Sequence, residues 1–250
     1  MKAYKGFNKD MTCKGFQYEI GKEYETDKAK VCESGFHACE YPLDCFNYYA
    51  PADSVYCEVE QSGNLSRDKD GDSKVASSKI KIGAEIGIKG LLSAAFEFVK
   101  ERCTNIKSGG YMSALSGGDR SALSGGYMSA LSGGDRSALS GGDMSALSGG
   151  YMSALSGGYM SALSGGDRSA LRGGDRSALR GGEFCVVYGG NKAKVKAGLH
   201  SVIALQYWVD DEFKCIKFKE VDGKKIKTDT WYKLDERGRF IEVKERMENE

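Results

Sequence analysis

Three groups of residues in this 250-residue chain have types that could do chemistry. The first is the cluster Cys32-x4-His37-x-Cys39-x5-Cys45, with Cys13 and Cys57 nearby. Zinc sites favour tight Cys-x2–4-Cys pairs, and this spacing contains none. The expectation is small buried cysteines and a hydrogen-bonded histidine, with no metal ligand set and no cofactor. The second group is a series of aspartates that follow Gly-Gly: Asp119, Asp135, Asp143, Asp167 and Asp175. Calcium-binding nonapeptide repeats also combine glycine with aspartate. Here the period is eight, the Gly-x-Asp step is missing, and Arg follows Asp in four octads, which would repel a cation. The third group alternates with the second: Tyr111, Tyr127, Tyr151 and Tyr159, and Met112, Met128, Met144, Met152 and Met160. Tyrosine and methionine are enriched at protein interfaces, and methionine adapts to varied partners. The candidate binding residues are Tyr111, Met112, Tyr127, Met128, Tyr151, Met152, Tyr159 and Met160. No catalytic residue is assigned.

Both of the last two groups belong to nine octads over 111–182, of the form YMSALSGG or DRSALSGG with small variations. A helix is excluded, because each Gly costs roughly 1 kcal/mol relative to Ala. Collagen would need Gly at every third residue with abundant Pro. A β-solenoid or a disordered linker remains, and the flanks favour the solenoid. Cys103–Gly110 is a degenerate octad in the same frame, and EFCVVYGG (183–190) and NKAKVKAG (191–198) continue that frame with changed residues. In the last of these Lys192, Lys194 and Lys196 are expected to face water, so alternation turns Ala193 and Val195 inward. Mapped back, Ser at position three and Leu at position five are the inward pair. The Tyr-Met and Asp-Arg pairs at positions one and two then form corners, where Asp-Arg ladders could be charge networks that keep the surface soluble.

The number of octads per coil is less plain. At position one, residues two octads apart match in two of seven cases, and residues three apart in three of six. The S-A-L-S-G step resembles the S-V-A-I-G step of the left-handed β-roll in trimeric autotransporter heads, where two short strands make a coil. That resemblance implies two octads per coil and six coils over 103–198.

The flanks supply the caps. Phe16–Ile20, Val55–Val59 and Lys79–Ile82 alternate like strands, Leu43–Tyr49 reads as a short helix after Pro42, and 88–102 carries the 3.6-residue period of an amphipathic helix. That helix is expected to cover the first coil. Ser201–Trp208, Phe213–Phe218 and Thr230–Val243 read as strands, with a turn at 235–238 and a frayed tail over 245–250. The fold class is therefore mainly β: a β-solenoid of octapeptide half-coils (103–198) between an α+β N-terminal cap (1–102) and a small β C-terminal cap with tail (199–250).

Charge and composition narrow the function. With 36 basic and 35 acidic side chains, a formal charge of +1 argues against nucleic-acid binding by bulk charge. No segment approaches a membrane span, and the start has no apolar signal region. Eight cysteines in that setting suggest reduced thiols and a cytoplasmic location.

The opening KGFN…CKGFQYEIGKEYE…GFHACEYPLDCFNYY, the central repeats and the ending DTWYKLDERGRFIEV together resemble an uncharacterised family common in phages and prophages. The resemblance implies a phage-type, intracellular protein with a solenoid between two caps. The expected function is a non-enzymatic interaction protein that presents a repetitive surface to a protein partner or to itself, with interference in a host process as one use. The alternative is an enzyme in 1–102 with the solenoid as spacer. Gly35–Cys39 followed by Asp44–Tyr49 is similar to the glycine-aromatic strand and following helix of ADP-ribosyltransferase-type folds, but no complete catalytic set can be placed on this chain.

Overall fold

The computed structural model describes residues 1–67 and 72–243, so the tail expected at 245–250 lies outside the described residues. The chain divides into two compact units, Met1–Ala95 and Phe96–Glu250. The helix Ile88–Glu101 runs across that division, close to the boundaries its periodicity predicts.

In the first unit, Lys2–Asn8, Phe36–Cys39, Ser54–Arg67 and Lys74–Glu85 pair antiparallel, and the pairings close on themselves. Glu23–Glu25 adds to the outer edge of Lys74–Glu85. Alternation supplies the core: Ala3, Phe7, Cys57, Val59, Ile80 and Ile82 are all buried together. The strand expected over 16–20 is cut to Phe16–Gln17, which pairs with Thr12–Cys13 across a turn at Lys14 and Gly15. Beyond it the Tyr18 amide still donates to the Met11 carbonyl (3.1 Å), and its ring packs against Phe7 and Tyr24 (both 5.2 Å). The short helix after Pro42 is a 3-10 helix, Pro42–Asn47.

The second unit is a β-solenoid of about six turns between residues 105 and 205. Every strand of the repeat pairs in parallel with the one sixteen residues on, as in Leu123↔Leu139 and Leu131↔Leu147. Two octads therefore make one coil, and alternate octads build two facing sheets. Leucines 123 to 179 line the space between them, continued by Val187, Val195, Ile203 and Leu205. Serines 121 to 177 at position three are equally buried. The inward assignment of positions three and five is correct.

The glycines serve close approach. A Cβ on Gly125 would lie 2.6 Å from Cβ of Ser129, and one on Gly126 would lie 3.0 Å from the Gly110 carbonyl in the preceding coil. Neither glycine has a positive φ. The left-handed residue of each octad is instead position two: twelve in succession, from Met112 to His200, have φ between 52° and 58°. The ladder continues through this turn, since the Met112 amide donates to the Tyr127 carbonyl (2.8 Å) and the Arg120 amide to that of Asp135 (2.8 Å).

Antiparallel strands end the stack at its C-terminal side. Val202–Val209 folds back through Glu212–Glu220 on one sheet. On the other, Tyr232–Leu234 pairs with Lys194–Lys196 and then with Phe240–Glu242. Val221, Ile226 and Tyr232 close the leucine core at this end. This segment also covers part of a side chain expected to face water: Lys196 is 14% exposed, its ammonium 3.0 Å from Asp229 and over the Trp231 ring.

Two outcomes follow from the sixteen-residue coil and its inward leucine. In-frame removal of 127–142 takes out one whole coil and leaves a cooperative thermal transition by circular dichroism. Removal of 127–134 alone transfers every later strand to the opposite sheet and abolishes that transition. Separately, Leu147→Asp places a carboxylate among leucines and destabilises by about 3–5 kcal/mol. Ser148→Asp, on the outer face of the same strand, leaves the thermal midpoint within a degree or two of the parent.

Candidate functional site

The corners are built by the same ladder that forms the core. At position three, the Ser121 amide donates to Oγ of Ser137 (3.3 Å), and that hydroxyl donates to the Gly118 carbonyl (3.3 Å). The pattern repeats up the stack, so each buried hydroxyl from Ser137 to Ser177 is both donor and acceptor, as burial requires. Cys185 takes a serine's place: it accepts from the Ser169 amide through Sγ (3.3 Å), and burial pushes its thiol up to about 12.

At position one, aspartate has a structural task. Oδ1 of Asp119, Asp135, Asp143, Asp167 and Asp175 each accepts the amide of the residue sixteen positions on, at 2.8–2.9 Å. These carboxylates tie one coil to the next, which is more than the solubilising ladder expected of them. Tyrosine at this position has no carboxylate to offer.

The coil of two octads sorts the corners onto two edges. One edge carries Tyr111-Met112, Tyr127-Met128, Asp143-Met144 and Tyr159-Met160, then Asp175-Arg176 and Asn191-Lys192. The other carries Asp119-Arg120, Asp135-Arg136, Tyr151-Met152, Asp167-Arg168 and Glu183-Phe184. Six of the eight candidate binding residues thus share an edge, where Met144 joins them as a seventh apolar residue, while Tyr151 and Met152 stand on the opposite one. The seven apolar side chains of the first edge are 38–68% exposed. They touch one another: the Tyr111 and Tyr127 rings stack at 5.4 Å and 8°, and the Tyr127 hydroxyl lies 3.0 Å from Sδ of Met144.

In the first unit, the cysteine–histidine cluster is spread through the sheet. His37 spends both ring nitrogens on backbone: Nε2 accepts the Cys32 amide (3.0 Å), and Nδ1 donates to the Gly35 carbonyl (3.1 Å). Burial and then the nearby ammonium groups of Lys5, Lys14 and Lys74 hold its pKa below the usual histidine range, which fits this neutral ring. Cys45 donates to the Tyr4 carbonyl (3.3 Å), and burial pushes the Cys57 thiol up to about 11. Among the described residues no group of three or more His, Cys, Asp or Glu side chains is placed to hold a metal ion.

Residues 1–94 match a domain of unknown function, DUF7666, which covers the first unit and none of the octads. No curated protein and no solved structure matches the chain.

A side chain the sequence reading passed over is Lys5. It lies between Ala3 and Phe7, so period-two alternation puts it on the core face, and it is only 5% exposed. Its ammonium donates to the His37 carbonyl (2.9 Å) and to Sγ of Cys13 (3.3 Å) and lies over the Phe7 and Tyr18 rings. A lysine in phase with two core residues was the available sign.

The position-one ladder predicts opposite outcomes at its two residue types. Asp135→Ala leaves the Tyr151 amide without its acceptor and costs about 1 kcal/mol, read as a lower thermal midpoint. Tyr127→Asp supplies the Asp143 amide with the acceptor that Asp119 gives Asp135, and the midpoint stays level or rises.

Proposed function

We propose that this protein is a non-enzymatic interaction protein whose solenoid binds a protein partner, a second copy of the chain included, through its Tyr-Met edge. The observation that carries the proposal is the segregation of the corners. Three tyrosines and four methionines gather on one edge, and the coil does not need them there, since Asp at the same position adds a bond to the next coil. Interfaces concentrate their energy in a few aromatic anchors, and a contiguous exposed apolar patch marks an interaction site more often than chance. The resemblance of the two ends of the sequence to a family common in phages and prophages supports a role inside a host cell, with interference in a host process as its use. Eight cysteines without a disulfide among them support a reducing, cytoplasmic setting. The enzyme alternative has less support, because the histidine of its motif is occupied by backbone on both sides.

The test is a pair of edge variants. Changing Tyr111, Tyr127 and Tyr159 to Asp, with Met112, Met128, Met144 and Met160 to Arg, should keep the circular dichroism spectrum and the thermal midpoint. Self-association by sedimentation, or partner capture from host lysate, should be lost. Tyr151→Asp with Met152→Arg, on the other edge, should leave both intact. Unchanged association and capture by the first variant would overturn the proposal.

A further inference from the structure

We propose that the first unit holds a binding site for a nucleoside phosphate. The site is a cavity of about 700 Å³ lined entirely by residues of that unit, within the roughly 300–1,000 Å³ of small-molecule sites. Its walls pair two chemistries. Phe16, Tyr18, Phe36, Tyr48 and Tyr49 present rings, while Lys5, Lys14 and Lys74 bring ammonium groups from three separate segments of chain. No aspartate or glutamate stands among the described residues that line it.

That charge imbalance is what calls for a ligand. A buried cation is stable only when its charge is answered. Lys5 is almost wholly buried, yet its ammonium meets one carbonyl, one thiol sulfur, a weak acceptor, and the faces of two rings, with no carboxylate among these partners. Lys74 lies over the Tyr48 ring at 4.6 Å, which ties a cation to an aromatic wall. Lys14 is held at a left-handed turn (φ 49°) by the Thr12–Cys13/Phe16–Gln17 hairpin, at the same cavity. All three lysines line the same cavity, with His37 among the residues between them.

A ligand that satisfies both halves joins a flat ring to a multiply charged anion. The rings would stack on the base, as aromatic side chains do with nucleobases irrespective of identity. The lysines would act as point charges on phosphate oxygens. Binding needs no covalent step and does not involve the octads.

The experiment is titration calorimetry on the full chain, with ADP, adenosine and inorganic phosphate as separate probes. ADP should bind saturably, and adenosine and phosphate should each bind at least ~10-fold more weakly. Lys14→Ala combined with Lys74→Ala should weaken ADP at least ~10-fold with the circular dichroism spectrum retained, and Lys5→Met should do the same where it folds. Silence from ADP, GDP and UDP at millimolar concentration would overturn the proposal. So would phosphate binding as tightly as ADP, or an ADP affinity unchanged in the double lysine variant.

Discussion

Backbone pairing at an offset of sixteen residues is the constraint that every other feature of the solenoid answers. It brings successive coils so close that, from Gly126 onward, the second glycine of each octad has no room for a Cβ against the coil before it. The same approach leaves each buried serine from Ser137 to Ser177 with an amide on one side and a carbonyl on the other. It also holds position two left-handed in residues as large as Met and Arg, a conformation that costs roughly 1–2 kcal/mol per residue outside glycine. Twelve such residues in a row persist because the ladder fixes the turn from both neighbouring coils. A coil by itself has no such support, so stability belongs to neighbours, as in other repeat proteins.

Much of this was legible. The changed octad NKAKVKAG identified the inward positions, because lysine cannot follow leucine into the core, and Ala193 and Val195 are buried as that reasoning requires. The coil length was also written in the sequence, but not at position one. Position two carries it: residues two octads apart match in four of seven cases, residues three apart in one of six. The left-handed turn was not legible, since Gly-Gly is the usual sign of positive φ and here serves close approach instead. The partial burial of Lys196 depends on Asp229 and Trp231, thirty or more residues away, which no local pattern reports.

The first unit shows the opposite balance. Strands with strong alternation, such as Val55–Val59 and Lys79–Ile82, could be located from sequence, and each proved to be part of a longer strand. The closure of four strands on themselves could not, because it rests on pairings as distant as Tyr4↔Cys39 and Lys2↔Glu60. The Cys–His spacing drew attention to chemistry that the fold uses for packing, while Lys5 passed unnoticed as one more charged residue. Its phase with Ala3 and Phe7 is the kind of local conflict that marks a functional or strained position.

The two corner types differ in what they return to the chain that carries them. Aspartate at position one bonds the next coil's amide and keeps the edge charged, so both effects act within the molecule. Tyrosine forgoes that bond and leaves a ring in water, and the methionine beside it exposes a second apolar group. The stacking of Tyr111 on Tyr127 recovers part of this, but Tyr159 stands above Asp143 with no such ring beneath it. Random alternation would have spread these losses over both edges. Their concentration on one edge, over four successive coils, gives them a continuous surface and leaves the opposite edge mostly to Asp and Arg. A loss that is not repaid inside the chain and is gathered in one place supports a gain made outside it, in contact with another protein surface.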